Sequence, residues 1–163
     1  MRRYRAGFIF LAMLLMAAML PSCDATPAEL EQNRLKWEKQ GKDGYTYTLE
    51  YHRFKMSYGP VVVRVENGEC TGWVATQAQP MYDLTSFSTI DRLFAAVGEA
   101  YSTEHATIKV DYDPEHGFPV NCQVDLGGPL GSTWGFGVTE FRAYSLIPTQ
   151  VPWEGIIIIP TEP

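Results

Sequence analysis

Asp111, Asp113 and Glu115 are spaced by two, Gly117 follows them, and Asp125 lies further on in the next alternating segment. Carboxylates gathered on a flexible turn are the oxygen ligands that calcium takes, and this run offers three or four of them. It departs from an EF-hand loop, because its glycine stands at relative position 7 and Cys122 occupies position 12. The alternative is plain turn chemistry: Asp113-Pro114 and His116-Gly117 are good turn formers, and acids solvate well at a strand end. If the chain were an enzyme, Asp111, Asp113 and His116 would be its nearest candidates.

Other constellations carry less. The three histidines, His52, His105 and His116, have no metal-ligand spacing. No serine sits in a G-x-S-x-G elbow. Gly127-Gly128-Pro129-Leu130-Gly131-Ser132-Thr133 has the glycines of a phosphate loop but no lysine, and its proline removes an amide donor. No catalytic residue is assigned and no cofactor is expected. Trp134 and Phe136, just after this glycine-rich stretch, are candidates for recognition if they are exposed beside a mobile loop.

The cysteines depend on the compartment. Met1-Arg2-Arg3-Tyr4-Arg5 is a basic n-region, and the uncharged run Gly7 to Leu20 suits a signal-peptide h-region better than a membrane span. Leu20-Pro21-Ser22-Cys23 has the form of a bacterial lipobox with an atypical proline, which makes Cys23 the expected site of lipidation with a fatty-acid (palmitate-type) anchor. The rival is ordinary cleavage after Ala25, with Cys23 discarded. Export would leave Cys70 and Cys122 in an oxidising compartment, where an even pair invites a disulfide, with two buried thiols as the alternative. A bridge requires their Cα atoms to lie within about 7 Å.

Removing residues 1–22 leaves 10 basic and 19 acidic residues, a formal charge of −9. That balance argues against nucleic acid and against adhesion to anionic lipid, because both would be repelled. Residues 1–22 are read as a lipoprotein signal peptide, 23–29 as a tether, 30–147 as one domain and 148–163 as an extended proline-rich tail, in which Ile156 to Ile159 could form an edge strand.

The elements that must position these groups follow from pattern. Thr26-Pro27-Ala28-Glu29 is a capping box opening a helix to about Gln40, with Leu30, Leu35 and Trp37 as its apolar residues. Tyr45 to Tyr51 alternates as a strand, and His52 to Pro60 reads as a loop. Asn67-Gly68 predicts a type I′ hairpin between Val61–Glu66 and Glu69–Thr76, pairing Val65 with Cys70 and Val63 with Gly72 and leaving Trp73 on the face of Val62. Ser88-Thr89-Ile90-Asp91 caps a second helix with Ile90, Leu93, Phe94, Val97 and Tyr101 at helical spacing. Thr107–Tyr112 and Pro119–Asp125 are strands around the Asp113–Gly117 turn. Leu126 to Gly137 reads as a glycine-rich loop before a last strand over Phe136 to Leu146. The result is an α+β domain: an antiparallel sheet of about six strands, an N-terminal helix, and a second amphipathic helix packed on one face.

These residues resemble the family of unknown function DUF6174, found in bacterial secreted and lipid-anchored proteins. The likeness rests on Trp37 ahead of Tyr45-Thr46-Tyr47, on Asn67-Gly68, on Thr89-Ile90-Asp91-Arg92-Leu93-Phe94, and on Tyr112-Asp113-Pro114 with Gly117-Phe118-Pro119 and Asp125. Together these span roughly residues 30 to 126. Members often carry a cysteine-rich segment after the tyrosine strand, where this chain has Phe54-Lys55-Met56, so no redox or metal role transfers. The resemblance implies export and an α+β fold, and no activity.

The function expected on these grounds is a membrane-tethered, non-catalytic binding or accessory domain on the extracytoplasmic side, whose partner is an envelope protein or small envelope component. The alternatives are an enzyme with its site near the Asp111–Gly117 turn, or a purely structural envelope component.

Overall fold

The structure, a computed structural model, describes residues 26–40, 42–75, 85–128 and 132–145. The signal peptide, Cys23 and the proline-rich tail with Ile156 to Ile159 lie outside them.

Helix α1, Pro27–Glu38, opens on Thr26, whose hydroxyl accepts from the Glu29 amide, with proline in the first turn. Leu30 and Trp37, two turns apart, are its buried residues. Leu35 is exposed, because five residues at 100° each carry it off that face. Helix α2, Ile90–Tyr101, is capped by Thr89, which accepts from the Arg92 amide at 3.1 Å. Ser88, expected as the cap, instead donates to the Thr85 carbonyl in the short 3-10 turn Thr85–Phe87. Ile90, Leu93, Phe94, Val97 and Ala100 form the buried face of α2.

Six antiparallel strands form one sheet: β1 Gly44–Arg53, β2 Met56–Glu66, β3 Glu69–Ala75, β4 Thr107–Tyr112, β5 Pro119–Asp125 and β6 Thr133–Tyr144, in the order β3-β2-β1-β6-β5-β4. The α+β reading holds. Both helices pack on the face that carries Tyr45, Tyr47, Leu49, Val61, Val63, Val65, Cys122, Val124 and Phe136, all 3% exposed or less. The opposite face carries Thr46, Glu50, Arg64, Gln123 and Arg142 and meets solvent, as one side of an antiparallel sheet can.

Two details differ from the sequence reading, and the turn between them agrees with it. His52 to Pro60 is no loop: β1 continues to Arg53, turns through Phe54 and Lys55, and returns as β2 from Met56. The Asn67-Gly68 turn has positive φ at both residues, 52° and 79°, as type I′ requires. Val65 pairs with Cys70 as expected, but a bulge follows, so Val63 faces Trp73 and Arg64 faces Gly72. One extra residue moves every later side chain to the other face, and Trp73 therefore joins the core side.

The helices run antiparallel. Trp37 Nε1, near the end of α1, donates to Asp91 Oδ1 at the start of α2, 3.2 Å away. Leu30, near the start of α1, lies against Gly98 in the last half of α2. In turn Ala96, Glu99 and Ala100 approach Tyr51 and Arg53 of β1 and Trp134 of β6. The N-terminus of α1 therefore points toward the sheet end that carries the Arg53–Met56 turn.

Candidate functional site

That end of the molecule holds a groove of about 430 Å³ between α2 and the sheet. Tyr51, Tyr58, Phe87 and Trp134 supply its rings. Tyr51 stacks on Tyr58 with centroids 5.9 Å apart and meets Phe87 at 4.7 Å, and Phe87 meets Trp134 at 6.0 Å. Ala96 and Ala100, one helical turn apart, leave open the space that larger side chains on α2 would fill. Arg53 from the sheet and Glu99 from the helix add one charge of each sign. Apolar walls with a few polar groups are the usual make-up of a small-ligand site.

Trp134 lines this groove and is half-buried. Phe136 does not. Thr133–Tyr144 is a central strand, not the tail of a loop, and Phe136 lies on the same face as Trp134 but two residues further into the sheet, fully buried beside Tyr51 and Cys122. It is a core residue. The other groove residues were missed in the sequence; the signal available was the Ala96/Ala100 pair beside the apolar stripe of α2.

The acidic residues do not converge. Asp113 Oδ1 accepts from the amides of Glu115 and His116, at 3.0 and 2.6 Å, and lies 2.9 Å from His116 Nδ1. Burial alone would raise this carboxyl, but those hydrogen bonds hold it below its ordinary value. Asp111 accepts from Asn121 Nδ2 at 3.1 Å on the solvent face. Asp125 caps the Gly127 amide at 2.9 Å, at the far end of the β4–β5 hairpin, where it pairs with Thr107. A six-residue strand separates the two ends, roughly 20 Å. Asp111, Asp113, Glu115 and Asp125 thus form no calcium cage.

The Asp113–Gly117 turn is instead fastened to α1. Lys36 Nζ donates to the Pro114 carbonyl, and Gln40 Nε2 donates to the carbonyls of Glu115 and His116 at 3.2 and 3.0 Å. Gly117 has φ +84°, and a Cβ there would lie 2.7 Å from the Asn33 carbonyl oxygen, so only glycine lets the turn and helix meet. Beside the turn, the Lys42 ammonium lies 4.5 Å from the ring centroids of both Trp37 and Phe141. It is buried, with no hydrogen-bond partner among the described residues. Burial holds this amine down to about 8, against the pull of Asp113 and Glu115.

Cys70 and Cys122 are free thiols, and the expected disulfide is overturned. Both lie on the core face, but β3 and β5 are four strand spacings apart, roughly 19 Å. Burial pushes the Cys122 thiol up to about 12 and raises that of Cys70, so neither has the lowered pKa of a reactive thiol.

A model of the family of unknown function DUF6174 matches residues 29–127. No curated protein and no solved structure matches the chain. The matched span contains α1 from its third residue, all of α2, five of the six strands, and every groove residue except Trp134.

Proposed function

The chain belongs to the DUF6174 family, and from that premise we propose that it is an exported, non-catalytic binding or accessory domain, tethered to the extracytoplasmic membrane surface through lipid on Cys23. The observation that carries the binding role is the aromatic groove between α2 and the sheet, with Arg53 and Glu99 on its walls. Of the acids an enzyme would use, Asp113 is spent on the backbone of its own turn and on His116, and Asp111 on the Asn121 side chain, which supports binding over catalysis.

Two variants test the two halves separately. Cys23→Ser should abolish incorporation of an alkyne fatty-acid analogue and move the protein from the membrane to the soluble fraction. Unchanged labelling would contradict the tether. Ala96→Trp should fill the groove, and crosslinked partners recovered with the native chain from its own membranes should be lost. The same partners recovered with both proteins would contradict the groove as the binding site.

The enzyme reading draws on one observation, the Lys42 amine that burial holds down to about 8 against the pull of Asp113 and Glu115. Its Nζ is closed off by Trp37 and Phe141, which keeps a substrate from reaching it.

A further inference from the structure

Phe54 and Met56, at the β1–β2 turn, are 51% and 59% exposed, the most exposed large apolar side chains of the described residues. Arg53, Lys55 and Ser57 alternate with them and are exposed too. The stretch from Tyr51 to Val65 contains Arg53, Lys55 and Arg64 and no acid, in a domain whose expected mature charge is −9. Phe54 adopts φ +57°, a left-handed conformation that a bulky residue takes only at a cost. A turn selected for stability alone would have glycine or asparagine here, as the Asn67-Gly68 turn does. Arg53 lies 5.6 Å from the centre of the Phe54 ring, its charge over the aromatic face.

From these features we infer that the Arg53–Met56 turn is a second membrane contact, in which Phe54 and Met56 enter the interfacial region of an anionic bilayer while Arg53 and Lys55 meet its headgroups. Exposed rings with flanking cations are the chemistry of interfacial insertion. The position agrees with it: α1 points its N-terminus toward this same end, and Cys23 stands three residues before Thr26. A tether there and an insertion tip here would face the same surface. Opposing acids at this end include Glu99 across the groove, exposed Glu104 in the loop after α2, Asp125 two strands over from the turn, and Glu29 in the first turn of α1. They repel an anionic surface, so the tip has to lead the approach. The inference deepens the tethered reading without depending on lipid at Cys23.

The test is flotation of the full chain, carrying Cys23→Ser so that no lipid contributes, with vesicles of mixed phosphatidylglycerol and phosphatidylcholine. Residues 1–22 are common to all variants, so the comparison isolates the tip. Phe54→Ser with Met56→Ser should weaken vesicle binding by about tenfold, and Lys55→Glu by about fivefold, the second loss vanishing on pure phosphatidylcholine. Circular dichroism should show every variant folded, since the altered side chains are exposed. Equal binding by all variants would overturn the inference. So would sedimentation showing that the tip mediates self-association without vesicles. Loss of fatty-acid labelling in the cell experiment would leave this result standing, and the converse also holds.

Discussion

Leu30 of α1 reaches to 3.8 Å from where a Cβ on Gly98 of α2 would lie, an ordinary van der Waals distance. The Arg34 guanidinium approaches the same point equally closely. This contact fixes the helices antiparallel, and it leaves just enough room for one methyl group. Gly98→Ala should therefore stabilise the domain by about 0.5–1 kcal/mol, through the lower entropy cost of alanine in a helix interior. Urea unfolding measures it; a loss of stability would mean that the helices pack more closely than this contact indicates.

Trp134 and Phe136 look alike in the sequence and have different duties. Phe136 is fully buried at the centre of the sheet, so Phe136→Ala should cost about 3–5 kcal/mol. Trp134→Ala, at the rim of the groove, should cost less and should lower partner capture. Equal destabilisation in chemical unfolding would contradict this division.

The contrast between these two residues shows where the sequence was legible. Period and capping placed both helices and all six strands, the last with a late start, because those signals are local. The I′ turn at Asn67-Gly68 was readable for the same reason: only a few residues tolerate positive φ twice in succession. Trp73 was placed on the wrong face because the bulge after Cys70 leaves no mark in the alternation. Cys70 and Cys122 share a face, but their separation depends on β6 inserting between β1 and β5, a long-range pairing that periodicity does not carry. The Arg53–Met56 turn escaped notice because Phe54 is not a turn residue.

Lys42 gives the domain an alkaline signature. Its folded pKa of about 8 lies below the ordinary 10.5, so between those values the unfolded chain binds the extra proton. Stability from this group should then rise as pH climbs through 8 and beyond. Buried tyrosines such as Tyr45 and Tyr112, whose pKa values burial raises, work in the opposite direction above pH 10. The readout is the difference between the native chain and Lys42→Met from pH 7 to 9.5, in urea midpoints. A difference that does not change with pH would contradict a desolvated amine.

Phe54→Gly separates stability from function at the tip. Relieving the left-handed conformation should stabilise the fold by about 1 kcal/mol, since glycine takes φ +57° freely. The same change removes the exposed ring and should weaken vesicle binding. A variant that is less stable, or one that binds vesicles as well as the native chain, would show that Phe54 is there for the turn and not for a surface.

The central claim is that one end of the domain faces the membrane. Tryptophan reporters can be placed at each end, by Phe54→Trp at the tip and Glu69→Trp beside the opposite hairpin turn, both exposed positions. Their emission is then measured on vesicles containing brominated lipid, with the native tryptophans subtracted as background. The account predicts a blue shift and strong quenching at position 54 and neither at position 69. Equal quenching at both positions, or none at 54, would contradict it.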